Sequence, residues 1–267
     1  MEKKLALITG ASSGIGAAYA RKLAAQGLDL VLVARREELL EELARALSAA
    51  HAVEVEILAA DLTTEEGLAQ VEACIEQGPA LEFFVHSAGF GTRGHFADVQ
   101  SKKLADMVRL HDLAAVRLLR AAIPAMREQG RGKLILISSL AAFYTTAEYT
   151  LYSASKAFLN MLARGLEVEL SPSGIRVQAV CPGLVRTGFM ETEEFKGFNY
   201  DRVPALAWME AGEVVNEAMA SLDSDGPLLF VPGRFNRAFA TALSTPGLGS
   251  ALKGGLNLLS RKLGHLY

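Results

Sequence analysis

Short apolar runs alternate with longer helical patterns along most of this chain, and the alternation constrains its fold more than any other feature. The strand-like runs are Leu5–Thr9, Leu30–Ala34, Val53–Leu58, Phe83–His86, Lys133–Ser138, Ile175–Cys181 and Leu228–Val231. Helical patterns lie between them at Gly14–Gln26, Glu37–Ala50, Thr63–Gln77, Ser101–Glu128 and Tyr152–Leu170. This order predicts a doubly wound, three-layer α/β fold, in which helices cover both faces of a parallel sheet.

The charge balance gives no sign of a nucleic-acid partner. The chain holds 27 Lys and Arg against 30 Asp and Glu, a formal net charge of −3, whereas nucleic-acid-binding proteins usually carry a basic excess. Two cysteines, Cys74 and Cys181, are too few for a disulfide framework, and the five histidines are scattered. We therefore expect no metal site and a reducing compartment, the cytoplasm.

One domain and a tail account for the length of 267 residues. No linker rich in Pro, Gly or Ser divides residues 1–235, so we predict one domain there and a C-terminal tail over 236–267. Leucines recur at helical spacing in the tail, at Leu248, Leu252, Leu256, Leu259 and Leu263. An amphipathic helix of this kind packs on the domain, on a partner subunit or on a membrane surface. The longest charge-free run, 238–252, is broken by Pro246 and is too short to cross a bilayer.

A glycine-rich turn separates the first strand-like run from the first helical pattern, with the sequence T-G-A-S-S-G-I-G from Thr9 to Gly16. Glycines let a backbone turn tightly and approach a pyrophosphate closely, and the N-terminus of the next helix offers free N–H groups. The position between a strand and a helix therefore predicts a dinucleotide site. Its candidate residues are Gly10, Ser12, Ser13, Gly14, Ile15 and Gly16.

Two arginines follow the second strand-like run, at Arg35 and Arg36. In dinucleotide folds an acidic residue here usually binds the 2′-hydroxyl of the adenosine ribose. A guanidinium instead suits a 2′-phosphate, to which it donates paired, charge-assisted hydrogen bonds. Arginines at this point favour NADP(H) over NAD(H) as the cofactor.

A tyrosine, a lysine and a serine form a candidate catalytic group. Tyr152 and Lys156 are four residues apart in a helical pattern and so share one face. An ammonium near a phenol lowers the pKa of the phenol from about 10, so that it can exchange a proton with an alkoxide near neutral pH. Ser139 follows a buried strand, at the edge where open parallel sheets bind ligands, and its hydroxyl is placed to hold a substrate oxygen.

These motifs and their order resemble the short-chain dehydrogenase/reductase family over residues 4 to about 190. The resemblance rests on the Thr9–Gly16 turn, Asp61-Leu62, Ala88-Gly89, Ser139 followed thirteen residues later by Y-x-x-x-K, and Pro182-Gly183 followed by Thr187. It implies a Rossmann-type domain with a seven-stranded parallel sheet, and hydride transfer between a nicotinamide and a carbonyl or alcohol. It also implies a homodimer or a homotetramer.

The resemblance assigns roles to particular residues. Tyr152 would be the acid/base, Ser139 would orient the substrate oxygen, and Lys156 would bind the nicotinamide ribose and lower the pKa of Tyr152. Further cofactor contacts would come from two groups of residues, which are Asp61 and Leu62 at the adenine and, near the nicotinamide, Ser87, Ala88, Gly89, Pro182, Gly183, Val185 and Thr187.

The sequence departs from the family pattern at two histidines. The family's Asn-Asn-Ala-Gly after the fourth strand is His86-Ser87-Ala88-Gly89 here, and the family's catalytic Asn in the long helix aligns with His111. In the family that Asn holds a water that relays protons from the active-site lysine. A histidine both donates and accepts and titrates near neutral pH, so our hypothesis is that His111 acts in the relay. The alternatives are that the larger ring displaces the relay water, or that His111 is a helix residue with no catalytic role.

The segment after Pro182-Gly183 is a lid over the substrate in the family, and it spans about 184–210 here. Its aromatic residues predict a hydrophobic substrate and include Phe189, Phe195, Phe198, Tyr200 and Trp208. Further candidates for the pocket wall are Phe90, Thr92, Phe143, Tyr144 and Tyr149. The leading hypothesis is an NADP(H)-dependent oxidoreductase acting on a small carbonyl compound or alcohol. The alternative is an NADPH-binding regulatory or redox-sensing protein with little turnover.

Overall fold

Strands and helices alternate through the computed structural model, which describes residues 4–191, 203–247, 249–252 and 254–255. The strands are β1 (Leu5–Thr9), β2 (Asp29–Ala34), β3 (Val55–Ala59), β4 (Leu81–His86), β5 (Gly132–Ile137), β6 (Ile175–Val180), β7 (Leu184–Arg186), β8 (Trp208–Glu210) and β9 (Leu229–Phe230). The α-helices are α1 (Gly14–Ala25), α2 (Glu37–Ala50), α3 (Glu65–Gln77), α4 (Ser101–Val108), α5 (Ala114–Gln129), α6 (Thr150–Leu170), α7 (Ala211–Asp223) and α8 (Arg234–Ser244).

Seven of these strands form one parallel sheet, in the order β3-β2-β1-β4-β5-β6-β9. The seven-stranded, three-layer Rossmann-type fold expected from the sequence is therefore confirmed. The strand order reverses between β1 and β4, so the loops after these two strands separate and leave a crevice at the carboxyl edge of the sheet. The glycine-rich turn and the Ala88-Gly89 turn border this crevice.

Two apolar layers cover the sheet and hold that edge in place. One face packs against α1, α2 and α7, through buried side chains that include Leu23, Leu40 and Val214. The other face packs against α3, α5 and α6, through Leu68, Leu118 and Leu159. Burying a leucine side chain contributes about 1.5–3 kcal/mol each, so the two layers fix the positions of the strands whose ends carry the candidate site.

The long helical pattern over Ser101–Glu128 is not a single α-helix. A π-helical segment, Arg109–Leu113, separates α4 from α5, and the Ala114 N–H donates to the Arg109 carbonyl across five residues. This extra residue in the turn was not predicted, because hydrophobic periodicity does not distinguish a single π turn within a longer helix. The segment carries His111.

The two ends of the predicted lid are joined. Strands β7 and β8 pair in parallel, from Leu184 with Trp208 to Arg186 with Glu210, and so form a small second sheet at its base. Residues 192–202 lie outside the described residues, and with them Phe195, Phe198 and Tyr200.

Part of the predicted tail packs on the domain. Helix α8 buries Ala240 with Leu140 and Cys181, and the predicted boundary at 235 falls within this helix. Leu248 and residues 256–267 lie outside the described residues. Within the described ranges, no helix combines the length and apolar character that a membrane span requires.

Candidate functional site

The ends of β1 and β4 are tied together by Thr9. Its buried Oγ1 accepts hydrogen bonds from the N–H groups of Ser87 and Ala88, both at 3.1 Å. Gly10 has φ +67°, and a Cβ there would lie 2.8 Å from the Ala88 Cα. Only glycine meets both conditions without strain, so the glycine-rich turn lies directly against the turn that follows β4.

The next two glycines let the turn pack closely against its neighbours. Gly14 has φ +57°, and a Cβ there would lie 3.1 Å from the Thr187 Cγ2 atom. A Cβ on Gly16 would lie 2.3 Å from the Gly10 carbonyl oxygen, which explains how closely α1 approaches the turn. A cavity of about 520 Å³ borders Gly14 and Thr187, with Arg186 in its wall. Two predicted cofactor segments, the turn and Thr187, therefore face one another.

The arginines after β2 reach the same turn. The Nη2 group of Arg36 donates to the Oγ atoms of Ser12 and Ser13, each at 2.9 Å. The Arg35 side chain is 70% exposed, and its Nη1 atom is 4.0 Å from Asp61 Oδ2. Two cations and two hydroxyls therefore stand at the end of β2, a donor set that suits a phosphate monoester.

The side chains of Asp61 and Leu62 lie in different surroundings. Asp61 Oδ1 accepts hydrogen bonds from the N–H and the hydroxyl of Thr63, at 2.9 and 2.8 Å. The Leu62 side chain is buried among the apolar residues on the α3 side of the sheet. Only the backbone of Leu62 is therefore available to the adenine contact predicted from the resemblance.

The predicted catalytic side chains come together at the end of β5. The Tyr152 and Ser139 hydroxyls share a hydrogen bond, and the Lys156 Nζ atom lies 5.7 Å from the centre of the Tyr152 ring. Lys156 is anchored twice, because its Nζ donates to the Ile137 carbonyl at 3.0 Å and its own carbonyl accepts from Ser138 at 2.9 Å. The three side chains form one constellation, in which Lys156 is buried and Ser139 and Tyr152 are half-buried.

Burial dominates the acid–base properties of this constellation. It raises the pKa of Tyr152 to about 12, although the hydrogen bond from Ser139 acts in the opposite direction. It lowers the pKa of Lys156 to about 8. The lowering of the pKa of Tyr152 by Lys156, expected from the resemblance, stays a prediction. The Lys156 ammonium donates to a backbone carbonyl, and the cost of placing a phenolate in a buried site exceeds the remaining attraction.

His111 is fully buried and both its ring nitrogens have partners. Nε2 accepts from the Phe90 N–H at 3.1 Å, so the proton of the neutral ring is on Nδ1, which donates to Ser155 Oγ at 2.9 Å. Ser155 donates in turn to the Tyr152 carbonyl at 2.9 Å. Burial and the charge of Lys156 hold the pKa of His111 well below its usual value. The expectation that His111 titrates near neutral pH is therefore wrong.

His86 carries its proton on the opposite nitrogen. The Thr9 hydroxyl already accepts two N–H groups, so it donates to His86 Nδ1, at 3.2 Å, and the His86 proton is on Nε2. Burial lowers the pKa of His86 to about 3. The two histidines that replace the family's asparagines are thus neutral, buried and fixed in opposite tautomers.

Aromatic rings lie close to the Tyr152 and His111 rings. Phe189, from the described part of the lid, lies 6.1 Å from the Tyr152 ring, and Phe90 lies 5.9 Å from the His111 ring. Trp208 stacks instead on the Arg186 guanidinium, 5.1 Å from its ring centre, at the base of the lid. The Pro182 carbonyl accepts from the Leu140 N–H at 2.9 Å, which joins the turn after β6 to the segment after Ser139. Val185 is buried in β7.

Three residues of the site were not predicted. Ser155 and Ser138 brace the helix and the backbone of Lys156. Asp112 lies in the π-helical segment with a buried Oδ1 that has no hydrogen-bond partner, and burial raises its pKa to about 6. Ser155 could have been predicted, because it lies inside the Y-x-x-x-K motif. No feature of the sequence pointed to Asp112, because the π turn that positions it was not predicted.

The comparisons with known proteins agree with this geometry. A family model described as short chain dehydrogenase matches residues 4–196. The chain belongs to the short-chain dehydrogenase family. It is therefore an oxidoreductase of a family that binds a nicotinamide cofactor, as the sequence motifs predicted.

Several relatives support the assignment. An oxidoreductase of Staphylococcus saprophyticus is 35% identical over 188 residues, which cover 70% of this chain and 80% of that protein. A short-chain dehydrogenase from Sphingobium yanoikuyae, solved in complex with NADPH, is 36% identical with a TM-score of 0.82, over 94% and 95% of the two chains. A bulky-bulky ketone specific alcohol dehydrogenase from Comamonas testosteroni is 33% identical with a TM-score of 0.77, over 87% of each chain. These relatives do not favour the regulatory alternative.

Proposed function

We propose that this short-chain dehydrogenase uses NADP(H) to interconvert a carbonyl compound and an alcohol, with a hydrophobic small molecule as substrate. The hydrogen-bonded Ser139 and Tyr152 hydroxyls carry the proposal, because they form a pair of donors at the end of β5, beside the crevice that the glycine-rich turn borders. The Comamonas relative, whose name specifies a bulky ketone, supports the substrate class.

The cofactor would supply or accept the hydride when bound. The residues that would hold its pyrophosphate and adenosine are Gly10, Ser12, Ser13, Gly14, Ile15, Gly16, Arg35, Arg36, Asp61 and the backbone of Leu62. Those that would border its nicotinamide are Ser87, Ala88, Gly89, Lys156, Pro182, Gly183, Val185 and Thr187. The close approach of Gly14 to Thr187 supports this arrangement, because it brings the glycine-rich turn and the segment after β7 together.

The protein's own part in the reaction follows from the protonation states of the site. With a pKa raised to about 12, the Tyr152 phenol keeps its proton at neutral pH and is ready to donate it to a substrate oxygen. Ser139 would hold that oxygen with a second hydrogen bond. The Lys156 Nζ atom lies 5.7 Å from the centre of the Tyr152 ring. A protonated phenol suits carbonyl reduction, and alcohol oxidation first requires that Tyr152 lose its proton.

His111 is the candidate for the proton relay predicted from the sequence, but the geometry favours a positioning role. Both ring nitrogens are occupied, by Phe90 N–H and by Ser155 Oγ. The ring therefore connects the turn after β4 with the helix that carries Tyr152. A Cβ on Gly89 would lie 2.9 Å from His111 Nε2 and 3.6 Å from Lys156 Nζ, so this glycine lets the turn approach both side chains.

The choice of NADP(H) over NAD(H) rests on Arg35 and Arg36. Arg36 is already oriented by two serine hydroxyls of the glycine-rich turn, and an oriented guanidinium loses less freedom when a phosphate binds. The Sphingobium relative in complex with NADPH supports the choice.

We also propose that the protein is a homo-oligomer. Apolar side chains on the outer faces of the π-helical segment, α5 and α6 are exposed, at Leu113, Val116, Met161 and Val168, the last by 80%. Large apolar side chains that stay exposed on a folded domain support an interface at these helices. Sedimentation equilibrium of the intact protein and of Met161→Lys tests this, and a monomer at all concentrations would contradict it.

The cysteines support the proposed cytoplasmic location. Cys74 and Cys181 are not joined in a disulfide, and Cys181 is fully buried. Free thiols persist in reducing compartments. Fractionation of the native host, with detection of the protein in the cytoplasmic fraction, tests this assignment.

Oxidation of NADPH in the presence of ketones, diketones and quinones tests the proposed function. We expect turnover of hydrophobic ketones, and its loss in Tyr152→Phe with NADPH affinity retained. Tight NADPH binding without turnover over the whole panel would contradict the assignment and would favour a regulatory role.

A further inference from the structure

Helix α8 is fixed to the catalytic side of the domain by two anchors. At its start, the buried Asn236 side chain fills the space beside Gly183, where a Cβ would lie 2.7 Å from Asn236 Oδ1. One residue later, Arg237 donates to Glu217 at 2.9 Å and to the Val231 carbonyl at 3.1 Å. The helix therefore has a defined position against the turn that follows β6.

The next turn of α8 presents Phe239 to the segment that follows Ser139. Its ring meets the Tyr144 ring edge to face, with centres 5.8 Å apart and planes at 88°. Both side chains are only half-buried and pack over Leu140. An aromatic pair made of residues from two distant parts of the chain thus lies beside Leu140, the residue that follows the catalytic Ser139.

We propose that Phe239, together with Tyr144, forms the wall that receives the larger substituent of the carbonyl substrate and so determines specificity. The inference rests on the proposed function and gives it a substrate class, namely ketones that carry an aromatic or fused alicyclic ring on one side. Ring-shaped substituents gain from edge-to-face or offset contacts with fixed aromatic rings, whereas small aliphatic groups leave the wall partly uncovered.

The contribution of such a wall is measurable as a change in selectivity. Aromatic pairs gain about 0.5–1.5 kcal/mol beyond area burial, which corresponds to about 2- to 12-fold in affinity. Since truncation to alanine also removes buried area, Phe239→Ala should lower kcat/KM for an aryl ketone such as acetophenone by about tenfold or more. The value for a small ketone such as 2-butanone should change by less than about threefold.

The experiment compares kcat/KM for acetophenone and 2-butanone in the full-length protein and three variants, with the NADPH dissociation constant measured in parallel. Phe239→Leu keeps most of the volume without the ring, so it should fold normally and recover only part of the acetophenone activity. Phe235→Ala is the matched control, because it truncates a 43% exposed phenylalanine of the same helix.

A selective rise in KM for acetophenone in Phe239→Ala, with unchanged NADPH affinity and an unaffected Phe235→Ala, supports the proposal. Equal losses for both ketones, or no loss for either, would overturn it. Absence of turnover by the unmodified protein on every carbonyl compound would instead contradict the proposed function itself, and the two failures are therefore distinguishable.

Discussion

The two ends of the crevice use charged and polar groups in different ways. At the cofactor-phosphate end, Arg35 is 70% exposed, and Arg36 reaches Ser12 and Ser13 on an exposed surface. At the proton-transfer end, Lys156 and His111 are buried, and the half-buried Tyr152 ring lies 6.1 Å from the rings of His111 and Phe189.

The difference follows from solvation. An exposed guanidinium keeps its charge at little cost in solvation free energy. It adds affinity for an anion, and this affinity falls as salt screens the two charges. Placing a charge on a buried group costs desolvation free energy, so burial shifts the pKa of that group. For this reason His86 and His111 stay neutral. Substitutions at the exposed end should therefore change the affinity for the cofactor. Substitutions at the buried end should change the rate of proton transfer and the stability of the fold. The following predictions test this division.

The largest effect is expected at the buried end, from Ser139→Ala. The variant loses the hydroxyl that orients the substrate oxygen and hydrogen-bonds to Tyr152, and kcat should fall by about 100-fold or more. The NADPH dissociation constant should stay within about twofold of the original. Steady-state kinetics and fluorescence titration measure the two quantities. Ser173→Ala, in the turn that follows the C-terminal end of α6, is the control. A Ser139→Ala variant that weakens NADPH binding without lowering kcat would contradict the division.

At the exposed end, Arg36→Ala should weaken NADPH binding and leave NADH binding unchanged. Hydrogen bonds to charged groups contribute about 1.5–3 kcal/mol, so the dissociation constant for NADPH should rise by about tenfold or more. The loss should shrink as salt concentration increases. Arg45→Ala, in the helix α2 that begins directly after Arg36, changes another exposed arginine and serves as the control. Equal losses for NADPH and NADH would show that Arg36 contacts something other than a 2′-phosphate.

Two variants of His111 distinguish a positioning role from a role in a proton relay. In His111→Ala the Phe90 N–H and Ser155 lose their partner inside the protein, and an unsatisfied buried group costs about 1–3 kcal/mol. We expect kcat/KM to fall by about tenfold, and His111→Asn to retain most of the activity with an unchanged pH profile. A displaced limb in the pH profile of His111→Asn would instead support the relay. Activities of both variants equal to that of the unmodified protein would contradict either role.

The smallest predicted effect concerns the pH dependence of stability. The pKa of His86 is lowered to about 3 and that of His111 lies well below its usual value, whereas histidines of the unfolded chain titrate near pH 6.5. As the pH falls below about 6.5, the unfolded chain binds protons that the folded chain excludes, so stability present at higher pH is lost by up to about 1.4 kcal/mol per pH unit for each histidine. Asp112, with its pKa raised to about 6, offsets part of this loss.

Urea denaturation at pH 7, 6 and 5 measures this dependence. In His86→Asn the free energy of unfolding should depend less steeply on pH, because the contribution of His86 to the slope is removed. His95→Gln, which changes an exposed histidine, should leave the slope as it was. An equal slope in His86→Asn and the unmodified protein would show that His86 is charged in the fold.

The sequence predicted those parts of the site that depend on local pattern. The turn from Thr9 to Gly16, the Tyr152–Lys156 pair and Ser139 each lie next to an element that periodicity located to within two residues. Parallel strands bring such turns to one edge of a sheet, so the order of the motifs along the chain was sufficient to predict the crevice.

Properties that depend on burial could not be predicted in the same way. The pKa values of Tyr152, Lys156 and His111 are set by how completely other elements cover them, and spacing along the chain contains no measure of this cover. The π-helical segment and the β7–β8 pair depend on tertiary packing for the same reason. His111 shows both limits, since its position was predicted and its protonation state was not.

The central claim is that the exposed end binds the cofactor and the buried end moves the proton, and single-turnover kinetics at saturating NADPH test it most directly. The rate of NADPH oxidation is measured with a hydrophobic ketone in Arg36→Ala and Tyr152→Phe. We predict that Arg36→Ala recovers the rate of the unmodified protein once NADPH is saturating, whereas Tyr152→Phe stays slower by about 100-fold or more at any NADPH concentration. A slow Arg36→Ala at saturation, or a Tyr152→Phe variant that turns over normally, would contradict the account.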